Sequence, residues 1–321
     1  MKLRALLLLG ASLLLSAPSR AETLREVLLQ NNIPAAALAP SALDARVSSG
    51  AAAQSGDWSY VAYPSVAADE TLGPPLHVVG YNRATQKLLY RAVASQETSD
   101  ECFGDVWDIH GQGGFVLVTT HINPSALCTV VLDVELRVRQ TLFGWPVAPL
   151  GTSQILLEDD EVHFAPVHPL RLEVVALDSA QAKEVYPPDG DALRAAFSRD
   201  LSQHLPPQSW CQEHDHPCDP AQFDEGIAGD AASDAAGAQF AFVVTYDAAS
   251  FGDDADRLVG ARSALYVYRK TAKGWAYCQE QLPGAEAQAR QKLLKTNFEA
   301  ATSGCTKSSD VNVKPADSAF Q

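Results

Sequence analysis

The feature that most constrains the fold of this chain is a recurring pair of short apolar strands joined by a polar turn. The four copies are LHVVGYNRATQKLLYRAV (76–93), CTVVLDVELRVRQTLFGW (128–145), LEVVALDSAQAKEVYP (172–187) and ALYVYRKTAKGWAYCQ (264–279). Each opens on β-branched or aromatic residues, passes through a polar turn and continues into a second apolar run. This pattern is typical of a β-hairpin.

Further apolar runs precede the hairpins and extend them into larger meanders. They are WSYVAYP (58–64), VWDIHG (106–111), GFVLVTTHINP (114–124), QILLEDD (154–160), EVHFAPVHP (161–169) and QFAFVVTYD (239–247). Two runs stand before the second hairpin and two before the third, so the middle of the chain predicts two successive four-stranded meanders. Their repeat of about 40–45 residues is the length of a propeller blade.

On this period and pattern, residues 57–282 resemble a β-propeller. The resemblance implies an all-β fold with four blades, and five blades or an open β-sandwich remain as alternatives. The paired Gly-His and Trp-Asp signature of WD40 repeats is absent from the sequence. Residues 188–238 do not follow the strand pattern and predict a helical and loop insertion. In this insertion Asp191 can cap a helix whose apolar positions are spaced by four: Leu193, Phe197, Leu201 and Leu205.

The two ends of the chain predict a leader, two helices and a tail. Residues 1–21 have the charged start, the apolar run and the small residues before Ala21 that are typical of a cleaved signal peptide. Residues 22–56 predict a short helix opened by a T-x-x-E capping box at Thr23, followed by a linker over 35–56. Residues 283–305 predict a C-terminal helix, and residues 306–321 a disordered tail.

Six cysteines lie beyond the signal peptide, and an even number in an exported chain predicts disulfides. The turns of a meander alternate between the two faces of the blades, which we call the top and the bottom. This alternation brings Cys102 and Cys128 to the top face of one blade and favours their pairing. Cys278 and Cys305 would attach the C-terminal helix, which leaves Cys211 with Cys218.

The stretch WCQEHDHPCDP (210–220) holds that last pair and the densest group of reactive side chains. A metal site would need reduced thiolates, which an oxidising compartment disfavours. We therefore interpret Cys211–Cys218 as a disulfide that closes a surface loop. The loop would present Glu213, His214, Asp215 and His216 as a contact patch.

The same alternation of turns predicts a candidate ligand site. His121, His168 and Tyr246 fall at equivalent ends of the second strands of their blades, next to the top face. Loops on one face of a propeller converge on the central channel, so we expect these three residues to line a ligand pocket. No catalytic residue, metal ligand or cofactor follows from this spacing.

Charge and missing motifs limit the function. Cleavage of the leader removes three basic residues and takes the formal charge from −15 to −18, which argues against nucleic acid and anionic membranes as partners. No apolar run is long enough for a membrane span, and no nucleophile elbow, zinc-protease motif or phosphate loop is present. The sequence favours an exported, secreted or periplasmic protein that binds a protein or glycan ligand. The alternatives are an extracytoplasmic hydrolase of glycans or esters with a site in the channel, and a structural envelope protein.

Overall fold

Four antiparallel sheets, arranged in a row, form the body of the molecule in the computed structural model. The structure describes residues 22–34, 38, 43–44, 46–47, 50–64, 76–94, 97–98, 102, 104–123, 126–159, 170–179, 181–204, 224–247, 262–305 and 309–310. The expected signal peptide, Cys211, Cys218, the 213–216 patch and His168 lie outside these residues. In the described part, no helix has the length and apolar character needed to cross a bilayer.

The described part of the chain starts at Glu22 with a short strand, followed by the helix that the capping box predicts. The elements are β1 (Glu22–Thr23), α1 (Leu24–Gln30) and β2 (Arg46–Val47). The Thr23 hydroxyl accepts from the Glu26 amide, and the Glu26 carboxylate accepts from the Thr23 amide, so the predicted cap is confirmed. Asn31 ends the helix.

The first two sheets are four-stranded antiparallel meanders. The first sheet contains β3 (Ala51–Ser55), β4 (Trp58–Pro64), β5 (Leu76–Asn82) and β6 (Lys87–Val93). The second contains β7 (Asp105–Gln112), β8 (Phe115–Asn123), β9 (Ala126–Asp133) and β10 (Val138–Phe143). Both sheets include a predicted hairpin. Strands β2 and β3 lie in the stretch 35–56 predicted as linker, so that prediction is wrong for these residues.

The third sheet contains a different set of strands from the predicted meander. It contains β11 (Trp145–Leu150), β12 (Gln154–Glu158), β13 (Leu172–Ala176) and β14 (Ala182–Tyr186). Strand β12 pairs directly with β13, so no strand lies between them in this sheet, and β11 is its fourth strand. The run 161–169, predicted as a strand, lies outside the described residues. Strand β11 was not predicted from the sequence, because Pro146 and Pro149 fall within it. Proline is tolerated there because β11 is an edge strand.

The insertion and the fourth sheet follow the third sheet along the chain. Helix α2 (Ala192–His204) confirms the helical part of the insertion, and β15 (Asp224–Ile227) and β16 (Ala232–Ser233) occupy stretches expected to be loop or one weak strand. The remaining elements are β17 (Gln239–Asp247), β18 (Arg262–Thr271), β19 (Gly274–Leu282), α3 (Gly284–Thr296), α4 (Phe298–Thr302) and β20 (Ser309–Asp310). Strand β20 pairs with β19, so the tail predicted as disordered is partly a strand.

Apolar clusters join each sheet to the next. Alternate residues of a strand point to opposite faces, and both faces of these sheets are covered. The first sheet packs on the second, the second on the third, and the third on the fourth and α2. The outer face of the first sheet packs against α1 and the segment that follows it, while α3 and α4 cover the outer face of the fourth. The four expected sheets are therefore present, but the described residues form a row capped by helices rather than a closed ring.

Two disulfides confirm two of the three predicted pairs. Cys102 bonds to Cys128, with their Cα atoms 5.4 Å apart, and Cys278 bonds to Cys305, with their Cα atoms 5.8 Å apart. The second bond fixes the end of α4 to the fourth sheet. Disulfides persist in oxidising compartments outside the cytoplasm.

Candidate functional site

A buried hydrogen-bonded network attaches α2 to the third and fourth sheets. Its members are Tyr186, Asp191, Arg194, Glu225, Tyr246 and Tyr266. Asp191 is the residue before α2, and its Oδ1 accepts from the Arg194 amide at 3.0 Å. This bond satisfies one of the unpaired amides of the first helical turn, as the sequence predicts. The network therefore begins at the cap of the helix.

Three tyrosine hydroxyls continue the network from Asp191 into the core. Tyr266 donates to Asp191 Oδ2 at 2.6 Å, and its oxygen lies 2.7 Å from the Tyr246 hydroxyl. Tyr186 has one proton and two possible acceptors, the Tyr246 oxygen at 3.1 Å and Glu225 Oε1 at 3.4 Å. The contacts shorten towards Asp191, as expected if each hydroxyl donates in that direction and the charged acceptor strengthens the series.

Burial keeps these hydroxyls in their neutral form. It raises the pKa of Tyr186, Tyr246 and Tyr266 far above the usual tyrosine value. A neutral hydroxyl can both donate and accept, whereas a phenolate could only accept. The three rings also pack edge-on or tilted against aromatic neighbours, including Phe197 of α2, whose ring centroid is 4.3 Å from that of Tyr246.

A buried ion pair forms the other end of the network. Arg194 Nε donates to Glu225 Oε1 at 2.6 Å, and the second nitrogen donates to Oε2 at 3.3 Å. The Glu225 side chain has no exposed surface, and this burial raises its pKa despite the opposing effect of Arg194. Burial alone would lower the pKa of Arg194, but its bond and attraction to Glu225 raise it. The pair thus fixes the first turn of α2 to β15.

The structure does not group the predicted ligand residues in one place within its described part. Tyr246 lies in the fourth sheet, with both neighbouring tyrosine hydroxyls in contact with its own. His121 lies in the second sheet, and the third sheet stands between them. His168 is outside the described residues. Ligand binding by these three residues stays a prediction.

His121 instead neighbours an exposed tryptophan. The ring centroids of Trp107 and His121 lie 5.8 Å apart, and 67 % of Trp107 is exposed to solvent. The pairing of β7 with β8 shifts between Val106 and Asp108, which makes Trp107 the extra residue of a β-bulge. A bulge re-aims a side chain and is common beside functional sites. Here it leaves a large aromatic ring in solvent.

Two acidic residues flank this ring on the same strand. Asp105 is the register partner of His121, and Asp108 follows Trp107 directly. Asp108 Oδ2 lies 3.7 Å from His110 Nδ1, and the pKa of Asp108 is lowered mainly by its interaction with the His110 side chain. We call Asp105, Trp107, Asp108 and His121 the Trp107 surface. The Cys102–Cys128 disulfide ties the chain just before β7 to β9 and so limits its movement.

The sequence contained a signal for the bulge that the strand prediction did not use. Val106 and Ile109 are both buried although they are three residues apart, which strict alternation along a strand does not allow. Two apolar residues at this spacing on either side of Trp107-Asp108 predict an extra residue between them. The buried network gave no comparable signal, because its members come from distant segments.

The chain matches no protein-family model and no curated protein. The described residues contain no group of three or more side chains placed to hold a metal ion.

Proposed function

We propose that this is an exported binding protein that contacts its ligand through the Trp107 surface. Export is supported by the signal-peptide pattern of residues 1–21 and by the two disulfides. Binding is supported by one observation above the others, the exposed Trp107 on a β-bulge. A secreted or periplasmic location follows from the same leader.

An exposed tryptophan held on a sheet is well suited to contact a partner. Its ring offers about 150–250 Å² of surface that can be buried, and tryptophan is enriched among the residues that dominate binding energy. The bulge and the nearby disulfide fix the strand that carries the ring. A side chain on a fixed strand orders less of the backbone when the ligand binds than a side chain on a mobile loop, so binding costs less conformational entropy.

Unlike the Trp107 surface, the buried network is mostly closed off from solvent, and its bonds support a structural role. A hydrolase needs carboxylates or a metal that face the substrate. Asp191 and Glu225 are instead bonded to Tyr266 and to Arg194. No specific observation in the described part favours hydrolysis over binding.

Site-specific photo-crosslinking tests the proposed function. A photoreactive phenylalanine analogue is placed at position 107 of the full chain in cells of the source organism, and the adducts are separated by mass. Position 134 provides the control, because Val134 is also a large exposed apolar residue, 45 % accessible, in the turn after β9. We expect one discrete adduct from position 107, suppressed by excess purified protein but not by the Trp107→Ala variant. Equal labelling from both positions, or none from either, would contradict the proposal.

A further inference from the structure

We propose that the Trp107 surface recognises a cationic group, the guanidinium of an arginine in a basic segment of a partner protein. This inference rests on the binding function proposed above and names the class of its ligand. Two observations support it: the exposed ring of Trp107, and the acidic residues beside that ring.

The charge of the surrounding segment is one-sided. Between Ala92 and Leu136 the sequence has 45 residues, of which seven are acidic and none is lysine or arginine. Glu97 pairs with Arg91, and Asp133 and Glu135 pair with Arg137, both arginines lying just outside this segment. Asp105 and Asp108 lie on β7 on either side of Trp107, so these two carboxylates carry the negative charge beside the ring. The mature chain as a whole is also acidic, so its field attracts cations towards this surface.

The geometry supplies the two contacts that a guanidinium prefers. The face of a tryptophan ring carries negative charge density and is the best aromatic partner for a cation. Asp108 follows the ring in the strand, with 61 % of its side chain exposed. An arginine can stack its planar group on an indole and direct its N–H groups to a carboxylate at the same time. Lysine, with a compact ammonium, would make the second contact but would stack less well.

A neutral glycan is the competing occupant of an exposed tryptophan. A sugar ring can stack on indole, but it carries no positive charge to attract the carboxylates of Asp105 and Asp108 on either side of Trp107. Its binding would also be nearly independent of salt, whereas attraction between exposed charges weakens as salt is added. Charge and salt dependence therefore separate the two ligands.

Nuclear magnetic resonance of the mature protein tests the inference directly. The chain has five tryptophans, and the indole N–H signal of Trp107 is assigned from its loss in Trp107→Phe. The first probe is an acetylated peptide with three arginines separated by Gly-Ser, and the second replaces each arginine by citrulline, which has nearly the same shape without the charge. The third probe is a hexamer of N-acetylglucosamine.

The expected result is a saturable shift of the Trp107 signal with the arginine peptide alone. Because exposed charge pairs contribute up to about 1 kcal/mol each, Asp108→Asn should weaken binding by about two- to fivefold. Raising the salt from 50 mM to 500 mM should weaken it by about tenfold. Trp107→Ala should remove the saturable binding measured by calorimetry, while Val134→Ala, at the other end of the sheet, should leave it unchanged.

Three outcomes would overturn the inference: equal binding of the citrulline peptide, a shift with the glycan alone, or no shift with any probe. A glycan shift would refute the cationic ligand but leave the binding function in place. The crosslinking experiment decides the binding function independently, because it does not depend on the choice of probe.

Discussion

His77 is a buried histidine whose ring is only partly bonded. Its Nδ1 lies 2.8 Å from the Tyr90 hydroxyl, while its Nε2 and the hydroxyl of neighbouring Tyr63 have no hydrogen-bond partner among the described residues. The three rings stack across β4, β5 and β6, beneath the apolar cluster formed with α1. Burial lowers the pKa of His77, because an imidazolium there would lose its hydration.

This histidine predicts a loss of stability in acid. The folded-state pKa lies below the unfolded value of about 6.5, so in acid the unfolded chain binds a proton that the folded chain does not. The free energy of unfolding should fall as the pH drops below about 6.5 and level off below the folded-state pKa. The largest slope that one such group can contribute is about 1.4 kcal/mol per pH unit.

Urea unfolding between pH 8 and pH 5 measures this effect in the wild type and in His77→Phe. Phenylalanine retains a ring between Tyr63 and Tyr90 but does not titrate. All other titrating groups are common to both proteins, so the difference between the two curves isolates His77. Parallel curves across this range would refute the prediction.

Gly113 and Gly56 form a matched pair that tests how closely the sheets approach. Both have a positive φ, +56° and +57° respectively. A Cβ at Gly113 would overlap the Thr152 carbonyl in the β11–β12 turn, whereas a Cβ at Gly56 would have nothing within 4 Å. Alanine at either site should cost about 1–2 kcal/mol for the left-handed backbone. At Gly113 the overlap should add about 1–3 kcal/mol.

Unfolding free energies of Gly113→Ala and Gly56→Ala in urea give this comparison. Because the backbone cost is common to both, the difference reports the contact between the second and third sheets. Equal losses would mean that this approach is looser than the structure indicates.

At the scale of elements, local patterns predicted what depends on neighbours in sequence. The four hairpins, the capping box at Thr23 and the cap of α2 at Asp191 were all predictable, because each depends on residues a few positions apart. Strand β11 was missed because the two prolines can be accommodated only at an edge, and edge position is a property of the whole sheet. One residue of the Trp107 surface, His121, was predicted as a ligand residue. Trp107 was not, because its exposure depends on the bulge in β7.

The attachment of α2 depends on a buried charge pair and predicts an asymmetric mutational response. Arg194→Met leaves the Glu225 carboxylate buried without its cation, which should cost about 3–5 kcal/mol of unfolding free energy. Adding Glu225→Gln to Arg194→Met removes the unpaired buried carboxylate, and the double variant should regain a large part of the lost unfolding free energy. Lys292→Met, which removes a positive charge at an exposed position of α3, should change stability by no more than about 0.5 kcal/mol.

Chemical unfolding of the three variants measures these differences. Hydrogen exchange of the α2 amides adds a local readout, since Arg194→Met should accelerate exchange in α2 more than in the first sheet. A loss in the double variant as large as in Arg194→Met would show that the charge is not the cause.

At the scale of the whole molecule, the row of sheets explains why the apolar runs are continuous. In β17, Phe240 and Phe242 face the third sheet, while Ala241 and Val243 face α3 and α4. A sheet covered on both faces needs apolar residues at every position, as in QFAFVVTYD. This composition suggested successive blades but could not show whether the row closes, because a neighbouring sheet and a helix cover an apolar face equally well.

The helices at the two ends of the row therefore act as caps, as terminal units do in repeat proteins. Leu294 of α3 is buried against the fourth sheet. An aspartate there would place a charge in an apolar contact, so Leu294→Asp should release α3 and expose the outer face of β17 and β18. Exposed apolar faces of this kind favour association between molecules.

Sedimentation velocity at several protein concentrations measures this association. Leu294→Asp should form larger species as concentration rises, while Gln288→Asp, which adds the same charge at an exposed position of α3, should sediment as the wild type does. The Cys278–Cys305 bond should still hold the end of α4, so reducing it in Leu294→Asp should increase the association further. A folded Leu294→Asp protein that sediments identically to Gln288→Asp would show that α3 is not needed to protect the end of the row.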